Sequence, residues 1–119
     1  MTATVLVVDD SGFMRQMLTD ILEAEYEVVG TASTGVEAVQ QFEAKSPDVV
    51  TMDVMMPEKN GIEATADIKA TGTETKVVMC TSVDQKEKMK EAVRAGADGY
   101  VTKPVDEADV LGELSSVLD

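Results

Sequence analysis

Val5-Leu6-Val7-Val8-Asp9-Asp10 is a short, continuous apolar run that ends in two carboxylates. Runs of this kind, without alternation of polar and apolar residues, are typical of strands that are buried on both faces of a parallel sheet. Residues 48–52 and 77–80 repeat the pattern, and residues 27–31 and 99–102 complete a set of five predicted strands. The sequence therefore predicts a sheet that other elements must cover on both sides.

Helical patterns fill the intervals between the predicted strands. The first has apolar residues at the spacing i, i+3, i+4, i+7, i+8, which forms one stripe on a helix: Met14, Met17, Leu18, Ile21 and Leu22. Similar stripes begin at Val36, Ile62, Met89 and Val110. The order is a strand and a helix repeated five times, which predicts one α/β, doubly wound domain over residues 1–119.

Capping signals agree with these helices. A Ser, Thr, Asn or Asp followed three residues later by Glu marks the start of a helix. Three such pairs are present: Thr34 with Glu37, Asn60 with Glu63, and Asp84 with Glu87. Gly96 follows the fourth helical pattern, where a C-terminal glycine is expected.

The composition limits the classes of partner. The net charge is −13, so nucleic acid and anionic membranes are poor partners. There is no long apolar segment and no basic leader, so we expect no membrane insertion and a cytoplasmic location. The one cysteine, Cys80, lies in a predicted strand and is interpreted as a small buried hydrophobe. Adaptation to a salt-rich cytoplasm and simple solubility explain the acidic excess equally well.

Reactive side chains follow four of the five predicted strands. Asp9 and Asp10 follow the first, Asp53 ends the third, Thr81 follows the fourth and Lys103 follows the fifth. Each has an ordinary interpretation when taken alone, as a helix cap, a turn aspartate or a solvated lysine. Since the carboxyl ends of parallel strands meet at one edge of a sheet, their joint occurrence predicts a single pocket.

The residue types of this predicted pocket suit phosphoryl transfer. Close carboxylates repel one another, and either a raised pKa or a bound cation relieves the repulsion. Oxygen ligands suit Mg²⁺, which typically takes one or two carboxylates together with phosphate oxygens. A carboxylate can act as the nucleophile towards a phosphoryl group, while a lysine and a hydroxyl hold its oxygens. The pocket thus supplies a nucleophile, a metal site, a cation and a donor.

Five ordered motifs carry a resemblance to a known family: Val7-Val8-Asp9-Asp10-Ser11, Met52-Asp53-Val54-Met55-Met56-Pro57 with Asn60-Gly61, Met79-Cys80-Thr81-Ser82, Ala95-Gly96-Ala97-Asp98-Gly99-Tyr100, and Val101-Thr102-Lys103-Pro104. Over its whole length the chain resembles the receiver domains of two-component response regulators. Within them it is most similar to the CheY-like, stand-alone chemotaxis regulators of archaeal type. The resemblance implies a flavodoxin-like, five-stranded parallel sheet of order 2-1-3-4-5.

The resemblance also implies roles for site residues. Asp53 is the phosphoacceptor, and Mg²⁺ is held by Asp10, by Asp53 and by the backbone carbonyl of Met55, with help from Asp9. Thr81 and Lys103 contact the phosphoryl group and assist its transfer. Thr81 and Tyr100 form a switch, and the Lys103-Pro104 peptide bond is cis. Such a protein is a phosphoacceptor switch that assists its own phosphorylation and dephosphorylation, and not an enzyme in the ordinary sense.

The implied partners are a chemotaxis histidine kinase and a motor or motor-adaptor protein, and a monomer is expected. The runner-up function is a phosphorelay intermediate that passes the phosphate to another histidine protein. A haloacid-dehalogenase-like phosphatase is disfavoured, because Met55 stands where that class needs a second acid. A flavodoxin-like cofactor site is disfavoured by the acidic first loop. Met55 and Val83 also lack the polar groups that orient water towards a phosphoaspartate.

Lys86, Lys90 and Arg94 recur every four residues in a chain that is otherwise strongly acidic. With Tyr100, they are predicted to form a docking face for the output partner. The alternative interpretation is a solvated helix face with intrahelical ion pairs.

Overall fold

The computed structural model describes residues 2–119, apart from the side chains of Val83 and Lys86. The strands are β1 Thr4–Val8, β2 Glu27–Ala32, β3 Val49–Asp53, β4 Lys76–Ser82 and β5 Gly99–Lys103. The helices are α1 Gly12–Leu22, α2 Gly35–Lys45, α3 Gly61–Ala70, α4 Lys86–Ala95 and α5 Glu107–Leu118. A 3-10 turn, Val83–Gln85, joins β4 to α4. In the part of the chain so described, no helix has the length and apolarity that crossing a membrane requires.

The five strands form one parallel sheet of order β2-β1-β3-β4-β5, which confirms the predicted fold. The strand β3 lies at the centre and is buried along its whole length. Its last residue, Asp53, is level with Cys80 of β4, and Lys103 of β5 is level with Ser82. This register places the carboxyl ends of the central strands at the same height, where the predicted pocket requires them.

Alternate strand residues fill two aliphatic cores, one on each face of the sheet. Leu6, Met52 and Met79 lie in the core that α3 completes with Ile68. The other core contains these residues of β1, β4, α1 and α5: Val5, Val7, Val78, Cys80, Leu18, Leu22, Val110 and Leu114. Cys80 is buried as predicted, and its burial raises the pKa of the thiol to about 12.

Two of the three predicted caps are confirmed. The Thr34 side chain accepts a hydrogen bond from the Glu37 amide at 3.0 Å, and Asn60 with Glu63 forms a complete capping box. Gly96 ends α4 in the left-handed conformation, with φ 111°.

The predicted cap at Asp84 is wrong. The chain makes a 3-10 turn before α4, so the helix begins at Lys86 and Gln85 occupies the N-cap without a side-chain cap bond. Asp84 instead accepts a hydrogen bond from the Ser82 hydroxyl at 2.6 Å. The extra turn therefore moves the helix start one residue beyond the position that the capping pair indicated.

The acidic excess predicts a salt-dependent fold. The chain has 23 acidic and 10 basic residues, and ion pairs among its described side chains engage only some of the acids. Raising KCl from about 0.05 M to about 1 M shortens the screening length to about 3 Å and weakens the repulsion among surface carboxylates. We expect the melting temperature, followed by circular dichroism, to rise by several degrees. Each 1 kcal/mol of stability corresponds to roughly 4 °C at this size.

The variant Asp10→Ala serves as the control for this effect, since it removes the acidic pocket as a cation site. It should show the same dependence on KCl as the wild-type chain. A flat response in the wild type would mean that neighbouring groups already compensate the carboxylates.

Candidate functional site

Three carboxylates converge at the carboxyl ends of β1 and β3. Asp9, directly after β1, is fully buried, and Asp53, which ends β3, is 5% exposed. Asp10 is exposed at the mouth of the pocket. One carboxylate oxygen from each residue lies within 4.8 Å of the others. The structure therefore brings together the three acids that the sequence predicted to meet.

Lys103 joins these acids from the end of β5. Its Nζ donates a hydrogen bond to Asp53 Oδ1 at 3.0 Å and lies 3.0 Å from Asp9 Oδ2. The contact with Asp9 is outside hydrogen-bond geometry, so the buried Oδ2 atom has an ion-pair partner but no donor. One lysine thus compensates only part of the charge of three carboxylates.

The β1–α1 loop holds Asp9 in a tight turn. The Ser11 amide donates to Asp9 Oδ1 at 2.9 Å, and the Asp9 amide donates to the Ala32 carbonyl at 3.1 Å. The Ser11 hydroxyl then caps α1 by accepting from the Met14 amide at 3.2 Å. These bonds fix the side chain of Asp9 and leave its Oδ2 atom directed towards Lys103.

The β3–α3 loop brings the backbone close to Asp53. A Cβ atom at Gly61 would lie 1.8 Å from the Asp53 carbonyl oxygen, so no larger residue fits there without a backbone shift. The Gly61 amide donates to the Val54 carbonyl at 2.9 Å, which closes the loop. Met55 lies in this loop with its side chain half exposed. The ligand role of its backbone carbonyl stays a prediction.

The pocket electrostatics oppose ionisation of Asp53. Burial raises the pKa of Asp53 to about 6, the hydrogen bond from Lys103 works against this shift, and the charge of Asp9 adds to it. Burial by itself would lower the pKa of Lys103, but the adjacent Asp53 and Asp9 carboxylates raise it. Because the folded-state pKa of Asp53 exceeds its ordinary value of 3.8, its ionisation makes the fold less stable as the pH rises towards 6.

A cation at this position would reverse these electrostatics. Three carboxylates supply hard oxygen ligands, and the buried Oδ2 atom of Asp9 still lacks a donor. The residues therefore fit a metal ion, and the acidic pocket could bind one.

The two predicted switch residues lie on the neighbouring strands β4 and β5. Thr81 is buried on β4, and its hydroxyl donates hydrogen bonds to the Ser82 carbonyl at 3.2 Å and to Gln85 Oε1 at 3.3 Å. These bonds point the hydroxyl towards the start of α4 and not towards Asp53. The Tyr100 side chain, on the edge strand β5, is 53% exposed. The Thr81 hydroxyl is therefore engaged by Ser82 and Gln85, and Tyr100 is exposed.

A groove of about 580 Å³ separates the α4 helix from β5. Its lining includes both predicted switch residues and two of the predicted docking cations. The lining residues are Thr81, Ser82, Met89, Lys90, Val93, Arg94, Tyr100 and Thr102. The fourth predicted docking residue, Lys86, begins α4, and its side chain lies outside the described part of the structure. The structure thus places Lys90, Arg94 and Tyr100 on one surface, next to Thr81.

The acidic half of this surface was not predicted from the sequence. Asp109 and Glu113 of α5 line a second cavity on the other side of Tyr100, and Glu113 Oε2 accepts a hydrogen bond from the Tyr100 amide at 2.9 Å. Their i, i+4 spacing is visible in the sequence, but their contact with β5 depends on how α5 packs. The surface is therefore basic on the α4 side and acidic on the α5 side.

Comparisons with known proteins agree with this architecture. Residues 5–115 match the family model of the response regulator receiver domain. The chemotaxis protein CheY of Halobacterium salinarum is 51% identical over 118 residues, which are 99% of this chain and 98% of that protein. The CheY of Thermotoga maritima is 43% identical over 114 residues, 95% of each chain.

Solved structures of CheY proteins share this fold. Vibrio cholerae CheY4 is 36% identical, with a TM-score of 0.91 over 99% of this chain and 100% of that chain. The chain matched in a CheX–CheY–BeF₃–Mg²⁺ complex from Borrelia burgdorferi is 32% identical, with a TM-score of 0.92 over 98% of this chain and 90% of that chain. With its parallel sheet of order 2-1-3-4-5 and its acidic pocket, the chain belongs to the response regulator receiver domain family and is a CheY-like domain of two-component signalling.

Proposed function

We propose that this chain is a chemotaxis switch that accepts a phosphoryl group on Asp53 from a histidine kinase, in a reaction that depends on Mg²⁺. The observation that carries the proposal is the placement of Asp53. Its buried carboxylate ends the central strand, 3.0 Å from the Lys103 ammonium and within 4.8 Å of oxygens from two further acids. The likeness to CheY proteins supports the chemotaxis role.

Asp53 is the nucleophile in the proposed reaction. One of its carboxylate oxygens forms a bond to phosphorus while the bond from phosphorus to the donor breaks, and the leaving group keeps the electron pair. Lys103 then moves its ion pair from the carboxylate to a phosphoryl oxygen, where charge develops. The Thr81 hydroxyl must leave Ser82 and Gln85 to donate to another phosphoryl oxygen.

Asp10, Asp53 and the Met55 carbonyl would hold Mg²⁺, with help from Asp9. When bound, the ion neutralises charge on the acids and on the phosphoryl oxygens, as in other phosphoryl-transfer sites. The remaining contributions come from the chain itself, which fixes Asp53 beside Lys103 and leaves it only 5% exposed to water.

Mg²⁺ should both stabilise the fold and permit phosphorylation. The ion binds the folded acidic pocket and not the unfolded chain, so at about 100 times its dissociation constant it should add about 2.7 kcal/mol of stability. The melting temperature should then rise in the wild-type chain and stay constant in Asp10→Ala. Incubation with phosphoramidate should give a phosphoryl adduct by intact mass when Mg²⁺ is present, and no adduct when EDTA is present. An equal shift in Asp10→Ala would count against the proposed metal ligands.

The output is proposed to leave through the groove between α4 and β5. If Thr81 turns towards the phosphoryl group, it vacates space at the end of the groove that the exposed Tyr100 ring can enter. This movement would change a surface that also carries Lys90 and Arg94. A motor or motor-adaptor protein that binds this surface would therefore distinguish the phosphorylated from the free form.

Tyr100→Ala should be phosphorylated at the wild-type rate but should lose the gain in affinity for a phosphorylation-dependent partner. Lys90→Glu should weaken partner binding in both forms and leave phosphorylation unchanged. Tyr100→Phe, which keeps the ring, and Lys45→Glu, which makes the same charge change on the exposed end of α2, are the matched controls. Titration of the partner with and without BeF₃⁻ measures these effects. If Tyr100→Ala and Lys90→Glu bind normally, the output lies on another face.

A further inference from the structure

Arg15 makes a contact that the reaction proposed above does not use. It lies in the first half of α1, and its Nη1 donates to the carbonyl oxygen of Asp9 at 2.8 Å. A helical side chain leans towards the N-terminus of its helix, which is why this one reaches a residue six positions earlier. A Cβ atom at Gly12 would lie 3.5 Å from Nη2, so the guanidinium rests against the first turn of α1.

The carbonyl that Arg15 holds belongs to the peptide unit between Asp9 and Asp10. The carboxylate of Asp9 is fixed separately, by burial and by the Ser11 amide. Asp10 is exposed, and packing does little to restrict its side chain. Fixing the peptide that precedes Asp10 therefore limits the directions in which its carboxylate can point.

We infer that Arg15 is a positioning residue for the cation site, in that its guanidinium sets the Asp9–Asp10 peptide so that the Asp10 carboxylate faces Asp53. This inference rests on the proposed function, because it assumes that Asp10 ligates Mg²⁺.

The positioning role and the charge of Arg15 predict opposite changes in Mg²⁺ affinity when Arg15 is removed. A guanidinium near a cation site repels the cation, so its charge alone weakens Mg²⁺ binding. If charge were its only effect, removing Arg15 would tighten binding. If Arg15 positions Asp10, its removal should weaken binding, because a fixed hydrogen bond is lost and the exposed carboxylate gains freedom.

The test measures the Mg²⁺ dissociation constant of the full chain by calorimetry, with the melting temperature of the metal-free form recorded separately. Arg15→Met keeps the aliphatic stem and removes the donors. Arg15→Lys keeps the charge but lacks the planar fork, and it replaces Arg15→Met if that variant does not fold. Lys45→Met also removes one positive charge, from the exposed end of α2, and is the matched control. We expect the dissociation constant to rise roughly fivefold or more in both Arg15 variants, and to change less than about twofold in Lys45→Met.

Wild-type or tighter Mg²⁺ affinity in either Arg15 variant would overturn the inference, even if the melting temperature of the metal-free form falls. A merely structural role moves that temperature and not the affinity. The variant Asp10→Asn shows whether the role of Arg15 alone is wrong or the proposed metal site is wrong as well. If the wild-type chain binds no Mg²⁺, or Asp10→Asn binds it equally well, the proposed metal site is wrong and the role of Arg15 is wrong with it.

Discussion

Asp53→Asn is expected to abolish phosphorylation by phosphoramidate in the presence of Mg²⁺. An asparagine amide has nearly the shape of the aspartate side chain but lacks its nucleophilic oxygen. The fold should persist, because burial and Asp9 already disfavour the charge at this position and the variant removes it. Intact mass after incubation measures the adduct, which should be present in the wild type and missing in Asp53→Asn.

Asp20→Asn is the matched control for this variant. Asp20 is an exposed residue of α1 that accepts a hydrogen bond from Gln16 at 2.8 Å, remote from the reaction chemistry. It should be phosphorylated as fast as the wild type. A full adduct in Asp53→Asn would mean that another residue is the acceptor.

Lys103→Met should slow phosphorylation by about 10²–10³-fold, the usual effect of removing one fixed donor to a developing charge. Mg²⁺ binding should move in the opposite direction and tighten, since the ammonium and the metal ion compete for the same carboxylates. The metal-free fold should lose stability, because Asp9 is fully buried and keeps no other ion pair among the described residues. The loss is limited by protonation of Asp53, whose pKa rises further without the lysine.

Single-turnover phosphorylation at saturating Mg²⁺ measures the rate, and calorimetry measures the metal affinity. Lys45→Met removes the same charge from the exposed end of α2 and should change neither. A wild-type phosphorylation rate in Lys103→Met would contradict the assigned role of the lysine. Weaker Mg²⁺ binding would show that Lys103 organises the acids instead of competing for them.

The fold was predictable because its strands are short apolar runs and its helices carry apolar stripes between them. The run that begins at Val5 identifies a strand buried on both faces, and β1 indeed lies inside the sheet between β2 and β3. The meeting of Asp9, Asp53 and Lys103 followed from the geometry of parallel strands, which aligns their carboxyl ends.

Features that depend on side-chain packing were not predictable. The start of α4 was misplaced, because the capping pair at Asp84 gave no sign of the 3-10 turn. The hydrogen bond that the Tyr100 amide donates to Glu113 joins two elements whose relative orientation is set by the core. The direction of the Thr81 hydroxyl depends in the same way on Gln85, a neighbour brought close by that turn.

Locating the modified residue decides whether Asp53 receives the phosphoryl group. The full chain is incubated with phosphoramidate and Mg²⁺ and reduced with borohydride, which converts an aspartyl phosphate to homoserine, and its peptides are sequenced by tandem mass spectrometry. We expect homoserine at position 53 and unmodified aspartate at positions 9 and 10. Homoserine at position 9 or 10, or no conversion at position 53, would rule against Asp53 as the acceptor.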